Sequence, residues 1–314
     1  MSKQMLSVVI PCYNEEENIH LCYEEVVSNI DTNRFNHEII FVNDGSRDGT
    51  WSQIQKIAQK DTQAKGVNFS RNFGHQSALQ AGLEAATGDV VIMMDGDLQH
   101  PPALFSELVV KYDEGFDIVN TIRRDSGDVG VLKKMTSRIF YKIINSLSDL
   151  QLNEGEADYR LMSRRALDTL NALPESPKFY RGLVNWIGYD VARVEYQAKE
   201  RQHGTSSYTL KKMIELARLG ITSFSMKPLK VISISGILIS AIAVVLLVGM
   251  IVVKFTVDAE LVSYSAILTA LLMLMMGILI TVQGVIAVYL VDIFSATKSR
   301  PTYIVKESTG AKRK

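Results

Sequence analysis

The sequence predicts an α/β protein, an open Rossmann-like sheet of alternating strands and helices, carrying two membrane-spanning helices near its C-terminus. Three observations carry this expectation. Short apolar runs end again and again in polar, turn-rich segments that lead into helical patterns. One of them, Val90–Met94, breaks into Asp95-Gly96-Asp97-Leu98-Gln99 ahead of Pro101-Pro102. Far downstream, Val231–Val253 (23 residues) and Ala266–Val291 (26 residues) contain no charge, and either is long enough to cross a hydrocarbon core.

In chain order, Leu6–Ile10 is a strand stopped by Pro11. Asn14 is the expected N-cap of a helix running to about Ile30, with Glu15, Glu16 and Glu17 in its first turn favouring the helix dipole. Glu38–Val42 is the second strand, ending in Asn43-Asp44-Gly45-Ser46, with a helix over Trp51–Gln59. Gly66–Ser70 is the third, ending in Arg71-Asn72-Phe73-Gly74-His75-Gln76, with a helix over Ser77–Ala86. The strand at Val90 is the fourth; a helix near Ala103–Glu114 and a strand at Asp117–Ile122 follow. Such alternation implies parallel βαβ units whose polar loops collect on one edge, bringing Asp44, Arg71, Asp95 and Asp97 around one crevice.

In extended backbone, residues i and i+2 share a face, so Asp95 and Asp97 are expected to point together, with Gln99 next in phase. Carboxylates held together repel unless a cation lies between them, and a hard divalent ion such as Mg²⁺ or Mn²⁺, bridging nucleotide phosphates, suits them. A solvated Asp-Gly-Asp turn is the plainer alternative. There is no G-x-G-x-x-G after the first strand and no G-x-x-x-x-G-K-[ST], which argues against a dinucleotide or P-loop enzyme. Lys plus Arg and Asp plus Glu stand at 34 each, so bulk charge points neither toward nor away from nucleic acid. Cys12 and Cys22 form no C-x-x-C pair and fit a reduced, cytosolic setting. No secretory signal is read at the N-terminus.

Leu132–Ile144 places Lys and Arg between apolar residues at helical spacing, as in a helix lying on an anionic membrane surface. Lys211, Lys212, Arg218, Lys227 and Lys230 precede the first uncharged run; Lys298, Arg300, Lys306, Lys312, Arg313 and Lys314 follow the second. The loop between them has Lys254 against Asp258 and Glu260. Positive-inside bias then puts both termini in the cytoplasm. The expected organisation is a cytoplasmic domain over 1–210, a juxtamembrane amphipathic segment over 211–230, spans at 231–253 and 266–291 joined by an extracytoplasmic loop at 254–265, and a cytoplasmic basic tail over 292–314. Gly277 and Gly284 could serve helix contacts in a homo-oligomer.

Ser7-Val8-Val9-Ile10-Pro11-Cys12-Tyr13-Asn14-Glu15-Glu16, Asn43-Asp44-Gly45-Ser46 and Asp95-Gly96-Asp97-Leu98-Gln99 resemble the family 2 glycosyltransferases of GT-A fold. Within that family the chain is similar to the polyisoprenyl-phosphate glycosyltransferases, the bactoprenol glucosyltransferase and dolichol-phosphate mannose synthase group. The match continues through Ala157-Asp158-Tyr159-Arg160, Arg201-Gln202-His203-Gly204 and Gly220-Ile221-Thr222-Ser223. The resemblance implies that Pro11, Tyr13, Glu15 and Asp44 line the base and ribose pocket, with Arg71 and Gln76 nearby. It implies that Asp95 bears on the nucleotide-sugar, and that Asp97 and Gln99, with Asp95, hold the metal. Asp158 matches the acidic position near the reacting centre; Arg123, Arg138 and Arg201 match arginines that meet the lipid phosphate. Ala157 and Ser207 depart from the glycine and lysine usual there.

The implied reaction is inverting transfer of a sugar, glucose from UDP-glucose foremost, to undecaprenyl phosphate at the bacterial cytoplasmic membrane. Another UDP-sugar (GlcNAc, galactose or an aminoarabinose derivative) is the alternative within the class. A non-catalytic UDP-sugar sensor is the alternative outside it, and no nucleic-acid partner is expected. Asp158 could orient the sugar, hold an arginine or accept a proton. Asp44 could be a turn residue only, Arg123 could pair with Asp125 or Asp128, and Arg138 could snorkel. His75 and His203 read as structural histidines. Gly204–Ser207 reads as a lid.

Overall fold

The computed structural model of the chain describes residues 3–124, 155–175, 178–197, 264–297 and 300–309, with Ile242, Val245, Val248, Gly249 and Val252 as isolated helical positions. Arg138 and its amphipathic stretch, Arg201, the Gly204–Ser207 lid, the juxtamembrane segment, most of the first expected span and its loop lie outside the described residues.

Eight strands form one sheet: β1 (Gln4–Cys12), β2 (Phe35–Asn43), β3 (Ala64–Phe69), β4 (Val90–Met93), β5 (Ile118–Arg124), β6 (Glu156–Ser163), β7 (Val191–Gln197) and β8 (Val305–Thr309). Their spatial order is β7-β5-β6-β4-β1-β2-β3-β8. The first four are parallel, as the alternation requires. Two strands that the sequence pattern does not announce run the other way. β6 runs antiparallel between β4 and β5, and β8 runs antiparallel on the outer edge of β3.

The inner strands are buried on both faces, which accounts for their continuous Val/Ile runs. On one face, α1 (Ile19–Asn29), α2 (Thr50–Lys60) and α4 (Phe105–Asp113) add Cys22, Val26, Ile54 and Leu108 to a core with Val8, Ile10, Phe41, Ile92 and Tyr159. On the other, α3 (His75–Ala85) packs on β1 and β2. A Cβ at Gly82 would stand 2.3 Å from Val9 Cγ1, so only glycine lets α3 approach this closely. The helices α5 (Arg164–Ala172) and α6 (Tyr180–Trp186) pack on β6. Ser163 caps α5, its Oγ accepting from the Ala166 N–H.

The Asn14 cap is corrected. Helix α1 begins only at Ile19, and Asn14 sits at φ 55° in the loop before it. Its Oδ1 accepts from the Arg47 N–H instead, so the asparagine side chain is spent on a tertiary contact rather than on the helix end.

A second compact unit contains α7 (Tyr264–Thr297), a helix of 34 residues. Among the described residues no helix is long and apolar enough to cross a membrane, and not every side chain along α7 is described. The two expected spans are therefore unconfirmed. The expected basic tail is partly structured: residues 305–309 are β8, with Asn68 opposite Glu307 and Gly66 opposite Thr309. It covers the edge of β3 and becomes the outermost strand on that side.

Candidate active site

Parallel β1, β2, β3 and β4 deliver their C-terminal ends to one edge, at Cys12, Asn43, Phe69 and Met93. Because β6 runs the other way, its beginning reaches that same edge. Met93, the last residue of β4, pairs with Arg160, and Asp158 lies two residues nearer the start of β6, where His75 stands within 3.7 Å of both it and Asp95. An antiparallel insertion thus carries an acidic side chain into a crevice otherwise built from parallel-strand loops.

The Asp95–His100 segment is a turn, not an extension of the strand, so pleating does not align Asp95 with Asp97 as expected. Strand β4 stops at Met93, and Leu98 adopts φ 62°, unusual for a residue with a branched side chain. Asp97, largely buried, accepts from the Gln99 N–H at 3.1 Å. The Asp95 N–H donates to His100 Nδ1 at 3.0 Å, and the imidazole stacks on Tyr159. Tyr159 in turn donates its hydroxyl to the Pro101 carbonyl at 2.9 Å. Gln99 Oε1 accepts from Arg123 at the end of β5, 2.9 Å away.

Around these lie groups that sequence reasoning did not assign to the site. Arg181 on α6 grips both oxygens of Asp158, at 3.0 and 2.9 Å. His75, at the start of α3, stands 3.7 Å from Asp95 and 3.6 Å from Asp158. Arg160, fully buried, lies 3.6 Å from Asp158. Burial alone would raise the Asp158 pKa, but Arg181 foremost, with His75, holds it well below the usual carboxylate range. Desolvation opposes charge on His75, yet Asp158 and Asp95 outweigh it and raise its pKa above the ordinary histidine value. Of the three roles open to Asp158, holding an arginine is the one its contacts support; a carboxyl so acidic is a poor proton acceptor. No local pattern marks Arg181, a single arginine in a short helix.

The nucleotide-side residues divide. Asp44, 3% exposed, accepts from the Phe73 N–H at 2.6 Å and the Gly74 N–H at 3.0 Å. Burial raises its pKa, with those two N–H bonds opposing. It is therefore more than a turn residue, since it ties the loop after β2 to the loop after β3. Next to it, Gly45 has φ +63° and lies so close that a Cβ would meet the Arg71 carbonyl carbon at 2.3 Å. Arg71 covers the Phe73 ring at 4.2 Å. Gln76 accepts from the Tyr180 N–H at 3.2 Å and so joins α3 to α6. Pro11 is buried in β1, while Tyr13 is exposed beyond its end. Glu15 receives the Asn18 side-chain amide at 2.6 Å and donates its own N–H to Thr50.

Asp95 and Asp97 offer hard oxygen donors, which suit Mg²⁺ or Mn²⁺. Among the described residues no three His, Cys, Asp or Glu side chains form a cage. The donor set fits an ion held by one or two carboxylates and completed by oxygens from a phosphate group.

Residues 7–170 match the family described as Glycosyl transferase family 2. An uncharacterized glycosyltransferase, YkcC of Bacillus subtilis (strain 168), is 38% identical over 98% of this chain and 95% of its own length. The bactoprenol glucosyl transferase of Shigella phage SfX is 37% identical over 96% of this chain and 98% of its own. A crystal structure of a mycobacterial protein, 23% identical with a TM-score of 0.50, covers 70% of this chain and 73% of that one, a likeness of fold. The fold is GT-A with a mixed sheet. With over half its length matched to that family and relatives matched almost end to end, the chain belongs to glycosyl transferase family 2 and is a glycosyltransferase.

Proposed function

We propose that the protein transfers glucose from UDP-glucose to undecaprenyl phosphate with inversion, at the cytoplasmic face of a bacterial membrane. The observation that carries this reading is the 37% identity, over 96% of the chain, to a protein named bactoprenol glucosyl transferase. That similarity runs through both uncharged stretches as well as the GT-A domain.

The acceptor, a phosphomonoester, is largely dianionic at neutral pH and needs no strong base. The task of the site is to bring two anions together. Asp158, kept ionised by Arg181, would hold that arginine in place beside the reacting groups rather than take a proton. Arg123, Arg138 and Arg201 would hold the acceptor phosphate through charge-assisted hydrogen bonds. Asp97, Asp95 and Gln99 would hold Mg²⁺ or Mn²⁺, which when bound offsets charge on the departing diphosphate. Pro11, Tyr13, Glu15, Asp44 and Arg71 would border the nucleotide, on loops braced as described above, with Gln76 fixing the α3–α6 wall.

Membrane anchoring rests on the uncharged stretches of the sequence and on topology. Val231–Val253 and Ala266–Val291 carry no charge, and either stretch is long enough to cross a hydrocarbon core. β8 follows both uncharged stretches in sequence and pairs with β3. An even number of crossings would return the chain to the side it left. Two spans satisfy that.

The test is product formation by purified full-length protein in detergent, with undecaprenyl phosphate, a panel of radiolabelled UDP- and GDP-sugars, Mg²⁺ or Mn²⁺, and an EDTA control. Lipid-linked glucose made from UDP-glucose, abolished by EDTA and by Asp97→Ala, is the expected result. Transfer from a different sugar alone would replace glucose. Absence of transfer from every donor, with UDP still bound, would overturn the catalytic reading.

A further inference from the structure

The C-terminal strand does more than extend the sheet. A run of side-chain hydrogen bonds starts on it and ends at the loops that border the nucleotide in the reading above, on which this inference rests. Glu307 Oε1 accepts from Asn68 Nδ2 at 2.9 Å. Asn68 Oδ1 accepts from Asn43 Nδ2 at 2.7 Å. Asn43 Oδ1 accepts from the Ser46 hydroxyl at 2.5 Å, and Ser46 Oγ accepts from the Asn14 N–H at 2.9 Å. Asn43 and Asn68 are 2% and 6% exposed, so neither amide can readily exchange its partner for water.

Two apolar contacts reinforce the path. Tyr303 stacks on Phe69 at 4.9 Å and donates its hydroxyl to Glu84 at 2.6 Å, while the Ser70 N–H donates to the Ile304 carbonyl. Phe69 meets Phe73 edge to face at 5.7 Å, and Phe73 is held by Asp44. The segment that re-enters the sheet after α7 is thus wired to both loops of the nucleotide side.

We propose that Glu307 is a positioning residue for the donor nucleotide. Acting through Asn68 and Asn43, it fixes the Asn43–Ser46 loop in the shape that receives the nucleoside diphosphate. An asparagine has a donor end and an acceptor end, so a fixed acceptor at Glu307 sets the orientation of Asn68. That orientation sets Asn43, and Asn43 sets where Ser46 and Asn14 lie. Without the acceptor Asn68 is free to flip, Asn43 is then held only from its own loop, by the Ser46 N–H at 3.3 Å and the Ser46 hydroxyl, and the loop loses its tie to β3.

The experiment measures UDP binding to the full-length protein by calorimetry, alongside the KM for UDP-glucose and for undecaprenyl phosphate. Glu307→Ala should weaken UDP binding about five-fold or more, the worth of roughly one hydrogen bond. It should raise the KM for the donor and leave that for the acceptor unchanged. Glu307→Gln keeps the accepting oxygen and should restore binding to near wild type. Thr309→Val removes a different tie of the same strand, the acceptor for the Gly66 N–H at 2.7 Å, without touching the amide path, and should leave UDP affinity unchanged. Equal loss in Glu307→Ala and Thr309→Val would mean that strand docking alone matters, and would overturn the proposal. Unchanged UDP affinity in Glu307→Ala would overturn it too. Failure of the wild-type protein to bind UDP would instead refute the donor-site reading itself.

Discussion

Replacing Arg181 by methionine tests whether Asp158 works as a clamped anion. Asp158 is 5% exposed and Arg181 23%, with two nitrogen–oxygen contacts between them at 3.0 and 2.9 Å. Unit charges about 4 Å apart attract by about 4 kcal/mol at an effective dielectric near 20. Breaking a buried pair from one side costs about 3–5 kcal/mol, because the remaining charge is stranded. His75 and Arg160, each 3.6 Å from Asp158, soften this loss, so about 3 kcal/mol is expected. The native pKa of Asp158 is depressed. Its contribution to stability is therefore full above the unfolded value of about 3.9 and fades as pH falls through the native value. The cost of Arg181→Met should be greatest near neutrality and shrink in acid. Urea unfolding of wild type, Arg181→Met, Asp158→Asn and the double variant, from pH 7 to pH 3, reads both quantities. A coupling energy under about 0.5 kcal/mol, the additivity expected of non-interacting sites, or a penalty that does not vary with pH, would refute the reasoning.

Two further outcomes follow from the described contacts. Gly45→Ala forces a side chain into a left-handed conformation and into the backbone of Arg71 and Asn72, 2.3 and 2.6 Å from the new carbon. It should cost at least about 2 kcal/mol in a denaturant titration and weaken UDP binding, since both loops must part. Glu38, at the opposite end of the sheet, is 1% exposed; burial raises its pKa, but Lys65, Ser7 and Thr87 outweigh that and hold it below the usual range. Glu38→Gln should cost about 2–3 kcal/mol at pH 7, and the difference from wild type should vanish as pH falls below the ordinary glutamate value of about 4.3 and through the native one. The same titrations measure it, and UDP affinity should not move.

Much of the nucleotide-binding half was legible in the sequence because its signals are local. Val8–Ile10, Ile39–Val42 and Val90–Met93 are buried on both faces and read as unbroken apolar strands, and the helices between them leave a regular βαβ beat. Asp44, Asp95 and Asp97 were found because each lies where an apolar run stops. The Asn14 cap went astray for the same reason. A polar residue before an acidic run has the local look of a helix start, while the contact that captured it, from Arg47, lies 33 positions away. What only the tertiary structure decided is non-local. The reversed direction of β6 brings Asp158 to the edge where His75 meets both it and Asp95, the packing of α6 hands Arg181 to that carboxylate, and β8 crosses 239 positions of chain to set Glu307 on Asn68. Strand direction and partner choice depend on which surfaces meet when the sheet assembles. A period of two or of 3.6 residues carries the face a side chain will bury, but nothing of the distant residue that will meet it.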